Sequence, residues 1–466
     1  MAGYDKLESL LKDEVVQREQ EGCNVEGFRE KIEEAGQDEQ RLMDVYNALK
    51  ALPIRADFPY TEPSELSAIR AERPDGPRKL TPTWSDAEWQ DKFLGAWLGR
   101  SVGCALGKPL EAAQFMEGAF GNPGWKNVKL WFEGADAWPI RDYTPGHSRA
   151  KQEIGLELNE WCAKSRLENI RFMESDDDIR YTVLGLIMLE EKGLEWGSWD
   201  IGKMWHQKLA YHQLYTAETQ AYMNFTQVTS HMDTWLKSRP DDLKTKMEWV
   251  RTHLNPYREW IGAQIRADGF AYGAAGNPEL AADLAWRDAS FSHVKNGIYG
   301  EMFVAAMVAA AFVESDAETL VNIGLSEIPR NSRLAHDIRK AVEIAKSTDD
   351  QVELVDRIWE AFKHYHAVHT NNNAALVAAS LVFANGDFEK GITTAVLGGW
   401  DTDCNGATVG SVLGAVLGAK ALPQRWTSKL NDTLYAEVHD FHPIAISECA
   451  RRSYEVFRRI QASVNN

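Results

Sequence analysis

Cysteine is scarce in this chain, and what there is does not pair. Five cysteines in 466 residues (Cys23, Cys104, Cys162, Cys404 and Cys449) are odd in number and widely separated, with no C-x-x-C. That argues against a disulfide framework or a zinc site and suits reduced thiols in a cytoplasm. No uncharged apolar run reaches the roughly 18 residues that a membrane span needs. The first residues, Met1 to Glu8, already carry charge and hold no apolar stretch, so no signal peptide is expected. Positive charge is also short. Against 69 acidic side chains stand 51 basic ones, a net charge of −18. Without a Lys/Arg block there is nothing to hold a nucleic-acid backbone. Finally, strand signals are almost missing: period-two alternation is hard to find, and helical spacing dominates.

What is present divides the chain in three. Residues 1–52 read as helices, with Leu7, Leu10, Leu11 and Val15 at helical spacing and Leu42, Val45, Tyr46 and Leu49 likewise. This is a helical extension, suited to packing on the main body or on a neighbouring subunit. Residues 53–84 are a proline-rich linker, with Pro53, Pro59, Pro63, Pro74, Pro77 and Pro82. Ser85-Asp86-Ala87-Glu88 is a capping box that opens a long main domain, residues 85–466. Within it Gly276-Asn277-Pro278, Asn385-Gly386-Asp387 and Pro240-Asp241 mark turns. Two glycine series recur every four residues: Gly95, Gly99, Gly103 and Gly107, then Gly406, Gly410, Gly414 and Gly418. Each such glycine costs a helix about 1 kcal/mol relative to alanine. In register they form a groove that lets another helix approach closely. Such packing would bring Glu111, just past the first series, towards the acidic turns described next.

Two acidic helix starts stand out. Ser175-Asp176-Asp177-Asp178 precedes an apolar helix, with Ser175 as a natural N-cap and the carboxylates favoured by the helix dipole. Three successive carboxylates exceed what a cap needs. Asp401-Thr402-Asp403 follows Gly398-Gly399-Trp400 and opens the second glycine-ridged helix. Together the two clusters offer enough oxygen donors for a hard divalent cation, Mg²⁺ with Mn²⁺ as the alternative.

These stretches carry a resemblance. Gly103-Cys104-Ala105-Leu106-Gly107-Lys108-Pro109-Leu110-Glu111 resembles the G-D-A-x-G-x-P-x-E motif of the ADP-ribosylglycohydrolase family. Ser175-Asp176-Asp177-Asp178 is similar to its T-D-D-T, and Gly399-Trp400-Asp401-Thr402-Asp403-Cys404 to its G-G-D-T-D-T. Asp288-Ala289-Ser290-Phe291-Ser292-His293 is similar to its D-A-x-x-T-H. The resemblance implies an all-α orthogonal helical bundle with two Mg²⁺ ions in a cleft. It implies Ser175, Asp176, Asp177, Asp401 and Asp403 as metal ligands, with Glu111 and Asp177 in catalysis. The implied activity is hydrolysis of a ribosyl glycosidic bond, releasing ADP-ribosyl or ribosyl groups from a protein side chain or a small acceptor. The alternatives are an N-ribosidase acting on a small nucleoside-like compound, or an inactive member that binds ADP-ribose or serves a structural role.

Four positions depart from the family pattern. Cys104 replaces an Asp, Asp178 and Cys404 each replace a Thr, and Trp400 stands where a second glycine is common. A thiol is a poor partner for Mg²⁺. The family's glycine-rich diphosphate loop corresponds to Ile261–Asp268, which lacks a dense glycine nest. Asn296-Gly297-Ile298-Tyr299-Gly300 is the substitute, so Asn296, Gly297, Tyr299 and Gly300 are expected to bind substrate, unless they form only a helix start. Asn371 joins them, since Asn371 to Asn373 either bond a ligand or cap the next helix. Trp131, Phe132, Trp138 and Tyr143 read as packing or as a lid. His364, His366 and His369 read as a polar cleft wall rather than as imidazole ligands.

Overall fold

The computed structural model describes residues 6–230, 242–441 and 443–464, so the turn expected at Pro240-Asp241 lies outside the described residues. The fold is all-α. Among the described residues, strand structure amounts to the antiparallel pair Thr433–Leu434 and Ile444–Ala445. No described helix is long and apolar enough to cross a membrane.

The extension forms α1 (Leu7–Gln20), α2 (Phe28–Ala35) and α3 (Glu39–Lys50). Their apolar faces meet in a small core of their own, with Leu11, Val15, Ile32, Leu42 and Leu49 buried. One side of α1 is different. Glu14 pairs with Arg258 at 2.6 Å, Glu21 with the same guanidinium at 3.3 Å, and Gln17 donates to Glu259 at 2.7 Å. All of these groups are buried, so the extension is docked on the main body by charge as well as by apolar contact.

The proline-rich linker runs as a strap over the main domain, broken by the short helix Leu66–Glu72. Glu62 clasps Arg333 at 2.8 Å, and Arg73 and Arg78 reach the buried Glu327 at 2.5 and 2.7 Å. Trp84 donates its indole N–H to the Phe312 carbonyl at 2.9 Å.

The main domain is built on α4 (Asp86–Gly107), α5 (Asp177–Lys192), α6 (Lys295–Ala311), α7 (Thr370–Ala384), α8 (Thr402–Leu417) and α9 (Ile446–Val464). The expected capping box opens α4: Ser85 N–H donates to Glu88 Oε2 at 2.7 Å and Glu88 N–H to Ser85 Oγ at 3.4 Å. α4 and α8 lie antiparallel at the centre. Gly95 faces Gly414, Gly99 faces Gly410, Gly103 faces Gly406, and Gly107 faces Thr402. At each, an added Cβ would fall inside contact with the opposing backbone carbonyl, so only glycine lets the axes come this close. The glycine groove read in the sequence is therefore the central packing seam. α6 and α7, nearly every residue of which is buried, wall this pair.

For three of the four aromatic residues the packing alternative holds. Trp131 and Phe132 belong to the helix Gly124–Gly134 and are buried, and Tyr143 is buried with its hydroxyl on the Trp426 carbonyl at 2.8 Å. These rings pack the core, and a lid made from them is ruled out by their burial.

Candidate active site

The site grows from three helix ends that the glycine seam brings together. α4 stops where Pro109 cannot continue it, and a short turn, Lys108–Leu110, delivers Glu111. Thr402 Oγ1 donates to the Gly107 carbonyl at 2.9 Å, tying the end of α4 to the start of α8. That start is a tight turn with Gly399 and Trp400 both at positive φ, +74° and +58°. Trp400 is unusual there because a side chain disfavours the left-handed region. Its buried ring stacks on Trp359 at 5.1 Å and 14°, which offsets the backbone strain. Asn373 completes the turn. Its Oδ1 accepts from the Asp401 N–H at 3.2 Å and from Asn405 Nδ2 at 2.7 Å.

As a result, oxygens of Glu111, Asp401 and Asp403 lie within 4.8 Å of one another. A second convergence within the same distance joins Asp403 to Asp176, Asp177 and Asp178. Asp401 and Asp403 are buried, whereas Glu111 and Asp177 are half-buried. Such crowding has a clear electrostatic signature. Burial, then Asp403, Asp176 and Asp177, push Glu111 well above the usual carboxylate range. Asp401 is pushed well up by burial and by Asp403. Asp403 rises to about 7 through burial, Asp176 and Asp177, and Asp177 to about 6 through burial and Asp176. Asp176 goes the other way. Burial would raise it, but the Lys108 ammonium outweighs that and holds it at about 2.

These donors fit a hard divalent cation. They are carboxylate oxygens, and Asp403 Oδ1 is buried with no hydrogen-bond partner among the described residues. A cation there would relieve the repulsion that now favours protonation.

The sequence model of the ADP-ribosylglycohydrolase family matches residues 85–460, beginning at the capping box that opens α4. The chain belongs to the ADP-ribosylglycohydrolase family. Among solved structures, an ADP-ribosylglycohydrolase-related protein complex is similar at 21% identity, over 80% of this chain and 99% of that one, with a TM-score of 0.48. No curated protein sequence matches the chain.

Within this ADP-ribosylglycohydrolase fold, the residues singled out from the sequence separate into two sets. Asp176, Asp177, Asp401, Asp403 and Glu111 meet at one place. Ser175 is adjacent, but its hydroxyl accepts from Arg180 at 3.2 Å and its carbonyl from Lys108 at 2.8 Å. The helix cap is Asp176 rather than Ser175, because Asp176 Oδ1 accepts the Asp178 N–H at 3.0 Å. Asp178 turns inward to Arg100 at 3.2 Å.

The other set is engaged elsewhere. Asn296 donates to Glu259 at 2.8 Å and accepts from the Leu334 N–H at 3.0 Å. Tyr299 donates to the Pro63 carbonyl of the strap, and Gly297 and Gly300 are closed over by Arg258 and Thr370. Asn371 donates to Asp337 at 2.8 Å. All five are buried. The Asp288–His293 segment joins a buried ion network, where Arg266 pairs with Asp288 and, at 2.6 Å, with Glu218. His369 caps α7 by accepting the Asn371 N–H at 3.1 Å, and His366 stacks on Trp260 at 4.1 Å.

Sequence reading gave no role to Lys108, Arg100 or Asn159, and it left Asn373 as a ligand or a helix cap. Lys108 and Arg100 reach the acidic residues only because the helices cross there, and Asn373 acts through a turn 28 positions away. Asn159 Nδ2 donates to the Glu111 carbonyl at 3.1 Å and its Oδ1 accepts from the Trp161 N–H at 3.0 Å. Trp161 is 82% exposed beside the site, where Tyr215 is 44% exposed. The Tyr215 phenol, raised first by burial, also feels Asp177, Glu111 and Asp176. A lone exposed Trp in the short 3-10 helix Glu160–Ser165 leaves no periodic signal to read.

Proposed function

We propose that this chain is a divalent-metal-dependent hydrolase of a ribosyl glycosidic bond, removing an ADP-ribosyl or ribosyl group from a protein side chain or a small acceptor. The observation that carries this reading is the convergence of half-buried Glu111 on buried Asp401 and Asp403, with the exposed Trp161 tied to Glu111 through Asn159. Asp401 and Asp403, together with Asp177, are the residues that would hold Mg²⁺ or Mn²⁺. When bound, the ion supplies Lewis-acid polarisation of ribose hydroxyls and of water. Glu111 takes or returns the proton at the reacting water or leaving atom. The surrounding carboxylates favour positive charge developing at the ribose C1. Trp161 and Tyr215 offer flat faces for a base or sugar, with the Asn159 amide fixing Trp161 relative to Glu111.

A second reading, an N-ribosidase acting on a small nucleoside-like compound, has its own support. Both segments read as diphosphate cradles, 261–268 and 296–300, are packed in the interior. One assay panel separates the two. ADP-ribosyl-arginine, ADP-ribosyl-serine and simple N-ribosides are offered with Mg²⁺ or Mn²⁺, and the Asp401→Asn protein serves as the blank. Turnover of an ADP-ribosyl conjugate supports the first reading, and turnover of N-ribosides alone supports the second. Equal turnover by Asp401→Asn would sink both.

A further inference from the structure

In the first acidic cluster Asp176 and Asp178 each pair with a buried cation, whereas among the described residues Asp177 pairs with none. Asp176 Oδ1 is committed to the α5 cap through the Asp178 N–H at 3.0 Å. Its Oδ2 accepts from Lys108 Nζ at 2.6 Å, and the same ammonium donates to the Ser175 carbonyl at 2.8 Å. The Ser175 hydroxyl is turned to Arg180. Asp178 is neutralised by Arg100, a buried guanidinium that also pairs with Asp268 at 2.8 Å. Beside Asp176 and Asp403 remain the Asp177 carboxylate and the buried Cys104 thiol, and the thiol suits Mg²⁺ poorly. At the other end the situation is reversed. Asp403 Oδ1 is buried and, among the described residues, unpartnered; it lies among Asp401 and Glu111 oxygens, and no described cation forms an ion pair with them.

We propose that Lys108 is a built-in counter-ion that takes the place of one of two metal ions, so that the centre holds a single divalent cation at its Asp401–Asp403 end. The resemblance to the family implies two ions. Here a charge of +1 on a fixed stem does the work of one of them at Asp176. The stem is held because Lys108 is 8% exposed and leads straight into the Pro109 turn. An ammonium and a divalent ion cannot share the Asp176 carboxylate at this separation without strong repulsion. This inference rests on the metal-dependent reading above, and its test separates the two.

Mn²⁺ alone is the probe, added to the full-length chain and read by calorimetric stoichiometry and by electron paramagnetic resonance. The expected result is one Mn²⁺ per chain with the spectrum of an isolated ion. Lys108→Met keeps the stem and removes the charge. It is expected to take up a second Mn²⁺ and to show an exchange-coupled spectrum. Asp176→Asn in the otherwise unaltered chain is expected to keep the single ion with less than a tenfold change in affinity. Two ions in the unaltered chain, or loss of all binding on Asp176→Asn, would overturn the Lys108 assignment and leave the metal-dependent reading standing. So would a folded Lys108→Met chain that still binds one. If the unaltered chain binds no Mn²⁺, the metal-dependent reading fails and takes this one with it. Should Lys108→Met fail to fold, the unaltered chain and Asp176→Asn still decide the matter.

Discussion

Glu111 is placed by a proline-terminated helix and by the Asn159 amide on its carbonyl, while its carboxylate is left free beside Asp403. That division of labour makes a clean experiment. Glu111→Gln keeps the shape and removes the proton carrier. Turnover should fall by about 10²–10⁴-fold, as expected for loss of a general acid or base. Mn²⁺ affinity should stay within about tenfold, because the buried Asp401 and Asp403 remain. Full turnover in that variant would remove Glu111 from the chemistry. Asn373 is a positioning residue, since it touches the backbone of Asp401 rather than a carboxylate of the site. Asn373→Ala should weaken metal binding by about 10–100-fold, the usual effect of losing a group that orients a ligand. Mn²⁺ titration would show it. If affinity and the thermal midpoint were both unchanged, the turn would not depend on this amide. Both residues show what the sequence makes visible and what it hides. Glu111 sits in a motif of closely spaced residues, so spacing reveals it. Asn373 matters through a contact made only when α7 and α8 meet, and its neighbour Asn371, identical in type, bonds Asp337 instead.

At the scale of elements, the glycine seam was the most legible feature, because a helix that accepts four costly residues in register needs a packing reason. Its consequence is sharp. Gly99→Ala sets a methyl group against the Gly410 carbonyl, a backbone atom that cannot rotate away. A loss of about 3 kcal/mol is expected from such overpacking. Gly197→Ala is the control, with nothing within 4 Å of its added Cβ and an expected loss of about 1 kcal/mol or less. Equal denaturation midpoints for the two would refute close helix contact as the reason for the series. The aromatic stretch from Lys129 to Tyr143 was less legible. A helix carrying Trp131 and Phe132 on its inner face looks the same in sequence as a loop that stacks on a ligand. The Asn296–Gly300 segment was similar. Its small and polar residues read as a ligand turn, but they accommodate the strap and the Glu259 ion cluster, partners far away in the chain.

For the whole molecule the question is how so many buried carboxylates coexist with a stable fold. Distant networks are paired internally: Arg258 meets Glu14 and Glu21, and Arg266 meets Glu218 and Asp288. The acidic centre is paired only in part, by Lys108 and Arg100. Its unpaired members store protons instead. With Asp403 at about 7 and Asp177 at about 6 against an ordinary 3.8, the metal-free native chain holds protons that the unfolded chain has released by neutral pH. By linkage these two groups lower stability as pH rises from about 4 to 7. Buried histidines oppose them. His293 and His369 are kept neutral mainly by burial, and the unfolded chain alone binds protons there as pH falls. The two effects run in opposite directions between pH 5.5 and 7.5, so the raw midpoint is a poor guide. The shift produced by metal is a better one, since the histidines cancel from it. A cation on Asp401 and Asp403 must displace the stored protons. Its apparent affinity should rise about tenfold per pH unit for each proton displaced, and the metal-induced gain in thermal midpoint should grow from pH 5.5 to 7.5. Calorimetry in buffers of different ionisation enthalpy would count the protons directly. A metal-induced shift independent of pH would mean that the centre is already ionised without metal, and that Lys108 and Arg100 neutralise more of it than their contacts to Asp176 and Asp178 suggest.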